Sequence, residues 1–284
     1  FPTRRSSDLY DSILEKLSTT KMTLQDARTQ LETFVTKKYS SRYVVLASFF
    51  IGFFASFPKF GHFWGAMCSG VITAIVYLLN RPLARRLKFS GVFNDFIGCV
   101  FSFIVSVLLA SAFEVPIAMF VIGTILLVVP GLTLTSAVSD IAEHNFVSGT
   151  VKMVKSTLIL VAMGVAYILI DNTISVMGFD RSVFTMTAEK AAYIDSYWFQ
   201  FLSRVILVGS FCVFFHIPLI AMPGAILCGI TSVLVLVQFK DPNMFVLASF
   251  SASLTVGLIS LALARYYKWP SQVFSTTGIL TLVP

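Results

Sequence analysis

Nine apolar runs, most of them close to twenty residues long, constrain the fold of this chain more than any other feature. A helix needs about 20 residues to cross a hydrocarbon core roughly 30 Å thick. Long runs also disfavour an outer-membrane barrel, whose strands alternate over about ten residues. The sequence therefore predicts an all-α, polytopic membrane protein. The predicted spans are 43–60, 62–79, 92–113, 116–135, 157–177, 199–216, 218–238, 243–264 and 270–284.

The composition agrees with a lipid environment. Hydrophobic residues make up 56% of the chain and charged residues 12%, whereas charged residues usually make up about a quarter of a soluble domain. The net charge of +7 comes from short basic segments beside the apolar runs, so we expect no nucleic acid partner. The four cysteines lie inside apolar runs without CxxC spacing. We therefore expect no disulfide framework, no metal site and no cofactor.

The region before the first span divides into two parts. Residues 1–9 match the translation of a common sequencing-adapter oligonucleotide, so we exclude them from the fold and expect the natural N-terminus to be missing. Residues 10–42 are polar, with apolar positions at helical spacing over 22–34. This pattern predicts a cytoplasmic helical segment before the membrane.

Basic residues set the expected orientation. They cluster at 28–42, before the first span, and at 81–88, between the second and third spans. The positive-inside rule places both segments in the cytoplasm. Alternation then puts a helix at 136–156 inside and the loop at 179–198 outside. The protein is therefore expected in the plasma or inner membrane with a cytoplasmic N-terminus.

The two halves of the chain resemble each other. "VPIAMFVIGTILLVVP" at 115–130 and "WPSQVFSTTGILTLVP" at 269–284 match at six positions with a constant separation of 154 residues. If one more span follows 284, each unit has five spans, and an odd number turns the second copy upside down. We therefore predict two inverted repeats, a hallmark of secondary transporters. The first membrane domain is expected at 43–178, and the second, truncated before its last span, at 199–284.

Pro130 and Gly131 interrupt one predicted span in its interior. Proline removes a backbone donor and glycine accepts unusual dihedral angles, so the freed backbone groups must face protein, water or a ligand. Pro284 is the matching proline of the second half. Two interpretations stay open, a paired binding feature or ordinary helix kinks. The residues expected to bind substrate or couple transport are Pro130, Gly131, Thr133, Thr135, Ser136, Ser139, Asp140, Ser148, Gly149 and Pro284.

Two acidic residues lie in or beside the spans at positions that suggest function. Asp140 shares a helical face with the hydroxyl residues before it. It is either a coupling group, or an interfacial cap or salt-bridge partner of Lys152 or Lys155. Asp171 lies in an apolar run, where a carboxylate is by default a functional hypothesis. The alternative for Asp171 is a solvated interfacial group.

These motifs resemble those of one transporter family. "VPGLTLTSAVSDIAEHNFVSGTVKMVKSTLILVAMG" at 129–164 is similar to the signature region of the threonine/serine exporter family, in which Pro-Gly-x-x-Leu-Thr precedes an Asp and then a Ser-Gly. Segment 22–34 resembles the family's pre-membrane helix, and segment 263–284 resembles its second membrane domain. We expect the chain to lack the family's extended N-terminal portion and its final span.

The resemblance implies a ten-span secondary exporter of threonine and serine, driven by the proton motive force. Related two-subunit members handle succinate, so a dicarboxylate exporter is one alternative, and a non-transporting scaffold or a channel is another. An enzyme is disfavoured because the spans carry no zinc motif, nucleophile elbow or aspartate pair. The implied partners are a small amino acid or dicarboxylate, protons and membrane lipids, with a homo-oligomer left open.

Single cysteines introduced into 81–88 and 179–198 test the orientation. An impermeant thiol reagent added to intact cells should label only the cysteine in 179–198, because the charge asymmetry places that loop outside. The protein with its four native cysteines alone is the control. Labelling confined to 81–88 would overturn the topology.

Overall fold

The computed structural model describes residues 39–87, 91–113, 116–142, 144–177, 196–239, 244–267 and 271–280, and within these ranges it contains helices and no strands. The all-α prediction is therefore confirmed. The helices are α1 (Ser41–Phe60), α2 (Phe63–Leu87), α3 (Gly91–Phe113), α4 (Ala118–Val128), α5 (Gly131–Ala142), α6 (Phe146–Met177), α7 (Tyr197–Phe214), α8 (Met222–Gln238), α9 (Phe245–Tyr267) and α10 (Ser271–Leu280).

Many of these helices have the length and composition of membrane spans. Five segments of the described chain are long and apolar enough to cross a bilayer: Ser41–Phe60, Phe63–Asn80, Ile117–Ala142, Phe146–Leu169 and Val246–Tyr267. Three shorter helical segments are also apolar: Asp95–Ala110, Trp198–Phe214 and Met222–Leu236. The chain is a multi-pass helical membrane protein. The total of nine spans stays a prediction.

Several predictions fall outside the described residues. These are the adapter segment 1–9, the pre-membrane helix over 22–34, most of the external loop at 179–198, and Pro284. The basic segment 81–88 is described only as the end of α2, up to Leu87. The domain boundaries and the orientation therefore stay predictions.

Contacts divide the chain into two compact units, one built mainly from Ser41–Phe214 and the other mainly from Phe215–Leu282. In the first unit, α1 packs against α2, α4 and α7, α3 packs against α2, α4 and α6, and α5 packs along α6. In the second unit, α8, α9 and α10 pack against one another. Each unit has its own helical core.

Helices α3 and α9 are separated by the same 154 residues as the two matching sequence segments. Helix α3 spans Gly91–Phe113 and α9 spans Phe245–Tyr267, so both ends differ by 154 residues. Within its own unit, α3 packs against the helices before and after it, and α9 does the same. These matches agree with a duplicated unit. The inverted relation of the two copies stays a prediction.

Small residues bring α1, α2 and α4 into close contact. A Cβ added to Gly123 of α4 would collide with the Cα of Gly52 and would lie 2.5 Å from Thr73 Oγ1. Ser56 Oγ lies 2.8 Å from Ser69 Oγ and 2.7 Å from the Met119 carbonyl oxygen. In lipid, where apolar surface alone does not hold helices together, such close packing and interhelical hydrogen bonds do. This contact fixes the position of α4.

Replacing Gly123 with alanine should destabilise the protein. The added methyl group has no room between α4 and α1, and overpacking of this kind typically costs about 1–3 kcal/mol. Gly164 in α6 is the matched control, because a Cβ added there meets nothing within 4 Å. Gly164→Ala should leave stability unchanged or raise it slightly, since alanine is the better helix former. Thermal unfolding of the detergent-purified variants measures both, and equal melting temperatures would contradict the packing account.

Candidate functional site

The predicted helix break occurs at Val129 and Pro130. Helix α4 ends at Val128, and Val129 takes φ −52° and ψ 121°, an extended conformation typical of a residue that precedes proline. The Gly131 amide donates to the Val129 carbonyl at 2.8 Å, which closes a tight turn around Pro130. Helix α5 then begins at Gly131, and the Leu134 amide donates to the Pro130 carbonyl at 2.8 Å. The break predicted from the sequence is confirmed.

The break lies in the middle of its span. Of the apolar segment Ile117–Ala142, α4 occupies 11 residues and α5 occupies 12. At about 1.5 Å per residue each half-helix is roughly 17 Å long, a little over half of a hydrocarbon core about 30 Å thick. Helix geometry leaves carbonyls without intrahelical partners at the end of α4 and amides at the start of α5. Partial charges of opposite sign therefore meet near mid-depth.

The hydroxyl residues after the break, Thr135, Ser136 and Ser139, are half-buried. Thr135 Oγ1 donates to the Gly131 carbonyl at 3.0 Å, and Ser136 Oγ donates to the Thr133 carbonyl at 3.1 Å. Ser139 is half-buried, whereas Val138, on the apolar face, is 54% exposed. The hydroxyls of Thr135 and Ser136 thus bond back to their own helix.

Asp140 forms an ion pair at the far end of α5. Its Oδ2 accepts hydrogen bonds from Lys152 Nζ at 2.6 Å and from Ser148 Oγ at 2.6 Å, both on α6. Both donors stabilise the charged carboxylate. Asp140 lies nine residues beyond Gly131, roughly 14 Å along the helix, so it belongs to the end of the span rather than to the break. The structure brings Asp140 and Ser148 together, and it pairs Asp140 with Lys152, one of the two lysines named from the sequence.

A sharp elbow joins α5 to α6. His144 has φ 64°, its amide donates to the Ile141 carbonyl at 3.1 Å, and the Asn145 amide donates to the Asp140 carbonyl at 2.7 Å. This pair of bonds is the Schellman ending, in which a left-handed residue terminates a helix. The prediction of one continuous helix over 136–156 is therefore wrong, because the chain turns at His144 and α6 starts at Phe146. The cytoplasmic location of this segment stays a prediction.

Gly149 permits the close approach of α6 to α5. A Cβ at this position would lie 2.5 Å from Ile141 Cγ1 and 2.9 Å from the Ala137 carbonyl oxygen.

An open depression of about 880 Å³ borders the elbow. It is lined by Asp140, His144, Asn145, Phe146, Val147, Ser148, Val151 and Lys152. Among the expected site residues, Ser148 and Gly149 thus belong to the elbow, whereas Pro130 and Gly131 form the break.

Two residues expected in the site have side chains that the structure does not describe. Asp171 lies within α6, but its side chain is outside the described set, as is Pro284. In the part of the chain that is described, no group of three or more His, Cys, Asp or Glu residues could hold a metal ion.

Sequence reasoning overlooked Asp95. This residue lies in the first turns of α3, is half-buried, and is close enough to Lys155 for the lysine charge to act on its carboxylate. An acidic residue within an apolar run is itself a functional signal. The same criterion that selected Asp171 would have found Asp95.

Two family models match the chain, and both describe the same kind of transporter. The model described as "Putative threonine/serine exporter" matches residues 5–174, and the model described as "Threonine/Serine exporter, ThrE" matches residues 200–284. The chain belongs to the threonine/serine exporter family. The break and the elbow both fall within the part matched by the first model. Searches of curated proteins and of solved structures each gave no match.

Proposed function

We propose that this protein exports threonine and serine across the plasma or inner membrane, with its N-terminus in the cytoplasm, and that the proton motive force drives export. The break between α4 and α5, in the middle of an apolar span, supports this proposal most strongly. Transporters with interrupted helices commonly bind their solutes at such breaks, near the bilayer midplane. The descriptions of the two family models support threonine and serine as the substrates.

The two helix ends at the break suit a zwitterion. The first amides of α5, at Leu132 and Thr133, carry a partial positive charge and can donate to a carboxylate. The last carbonyls of α4, up to Val128, carry a partial negative charge and can accept from an ammonium group. An α-amino acid carries both groups on one carbon atom. A dicarboxylate such as succinate offers nothing to the carbonyl end, so an amino acid is the better match.

We propose that Asp140 couples protons to this site, and that its ion pair with Lys152 must open before the carboxylate is protonated. Its carboxylate ties α5 to Lys152 of α6, and the opposite end of α5 provides the amides at the break. Protonation would neutralise the carboxylate and remove its charge attraction to Lys152. The elbow would then be free to shift, and α5 would carry the shift to the break. Proton binding and solute binding would thus act on opposite ends of one 12-residue helix.

Counterflow in proteoliposomes tests the substrate class. Vesicles loaded with unlabelled threonine or serine should accumulate labelled threonine, and vesicles loaded with succinate should not, because succinate lacks the ammonium group. Empty liposomes are the control. Exchange with succinate alone would replace the amino-acid proposal with a dicarboxylate exporter. Flux that does not depend on internal solute would indicate a channel, and no flux would indicate a scaffold.

Replacing Asp140 with asparagine should abolish export driven by a pH gradient. Asparagine keeps the shape and can still accept from Ser148 and Lys152, but it cannot exchange a proton. Ser148→Ala is the matched control, since it removes one hydrogen bond and leaves the charged pair with Lys152 intact. Export by both variants is compared at equal abundance in the membrane. If the asparagine variant responds to the pH gradient as the wild type does, Asp140 is a structural tether only.

A further inference from the structure

Three buried hydroxyl groups of α3 and α4 lack hydrogen-bond partners within the described residues. Ser102 and Ser106 of α3 are 1% and 0% exposed, and Thr124 of α4 is 1% exposed. None of the three hydroxyls has a partner in the described part of the chain. A buried hydroxyl without a partner costs free energy, so most such groups in proteins are satisfied.

These three residues depart from the usual behaviour of hydroxyl residues in this protein. In its helices, serine and threonine commonly donate to a carbonyl three or four residues earlier. Examples are Ser48 to Val44 at 2.8 Å, Thr73 to Ser69 at 2.7 Å and Ser210 to Ile206 at 2.8 Å. This back-bonding satisfies a hydroxyl inside a membrane at little cost. Ser102, Ser106 and Thr124 forgo it and remain available to a ligand.

Ser102 lies at the depth of the break, and Ser106 and Thr124 lie about one helical turn nearer to the connection between α3 and α4. Helices α3 and α4 pack against each other and are joined by a short connection, as antiparallel neighbours are. Ser106 precedes the end of α3 at Phe113 by seven residues, and Thr124 follows the start of α4 at Ala118 by six. Both are therefore about 10 Å from the connection. Ser102 is one turn deeper, at the level of Val128, where α4 ends.

A polar face leads along α3 to this level. Asp95, Cys99, Ser102 and Ser106 follow one another at spacings of four, three and four residues, which places them on one side of the helix. Asp95 lies about 10 Å before Ser102 along the axis, toward the end of α3 that the charge pattern places in the cytoplasm. These four groups therefore lie in order between that end of α3 and the level of Thr124.

We propose that Ser102, Ser106 and Thr124 form a hydroxyl wall that binds the side-chain hydroxyl of a threonine or serine held at the Pro130 break, and so selects hydroxylated amino acids over alanine. This inference rests on the proposed function. A solute hydroxyl donates one hydrogen bond and accepts up to two, so it can partner all three groups. Alanine would leave the wall unsatisfied, and sites of this kind reject an analogue that lacks the hydroxyl.

The second unit offers a matched control. At the 154-residue separation, the position of Ser102 corresponds to Val256, that of Thr124 to Gly278 and that of Ser106 to Ser260. Ser260 Oγ donates to the Gly257 carbonyl at 2.8 Å, so its hydroxyl is already satisfied. Ser106 and Ser260 thus share residue type and repeat position but differ in hydrogen bonding.

Binding of serine and of alanine to the purified protein tests the wall. Wild-type protein should bind serine more tightly than alanine, and the triple variant Ser102→Ala, Ser106→Ala, Thr124→Val should lower that preference roughly tenfold, because a hydrogen bond to the solute is lost. Ser260→Ala should keep the wild-type preference. If wild type prefers serine and the triple variant prefers it equally, the wall is refuted while the proposed function stands. If wild type binds neither threonine nor serine, the proposed function itself fails.

Thermal unfolding separates a binding role from a structural one. Removing a hydroxyl that has no partner should not lower the melting temperature, so the triple variant should be at least as stable as wild type without solute. Ser56→Ala is the comparison, since Ser56 Oγ has partners on α2 and α4 and its loss should lower the melting temperature. A triple variant that unfolds as early as Ser56→Ala would show that the three hydroxyls are needed by the fold, which would overturn the proposal.

Discussion

A polar backbone group in hydrocarbon must find a partner, and the break at Pro130 leaves such groups at the middle of a span. The surroundings of the break follow from this requirement. Helix α4 is held against α1 and α2 by the close contact at Gly123 and Gly52. Helix α5 is held at its far end by the ion pair between Asp140 and Lys152. The break is therefore flanked by fixed helices, which keeps its two polar ends in place.

Two groups of buried hydroxyls in this protein have different consequences. Ser56 and Ser69 are satisfied across helices, and they contribute to packing. Ser102, Ser106 and Thr124 are equally buried and have no partner in the described residues. The first group stabilises the fold, whereas a buried hydroxyl of the second group costs free energy until a ligand or water satisfies it. Hydrogen bonding, rather than polarity or burial, distinguishes the two.

The sequence predicted features that depend on local chemistry. Proline at 130 lacks an amide and restricts the residue before it, so the break was predictable and is found there. The pairing of Asp140 with Lys152 depends on the turn at His144 between α5 and α6. The sequence did not predict this turn, because His144 takes a left-handed conformation usually occupied by glycine. That turn also divided the helix predicted over 136–156. Asp95 was missed although its apolar surroundings provided the signal.

The sequence by itself determined the helical, multi-pass character of this protein, because runs of apolar residues must form helices in lipid. It also determined the place of the break and the family signature around it. Tertiary structure decided which polar residues have partners. Ser106 and Ser260 are separated by the same 154 residues as the ends of α3 and α9, yet of these two serines only Ser260 bonds back to its own helix in the described chain. Hydrogen bonding depends on rotamer and on neighbouring helices, which one-dimensional spacing does not specify.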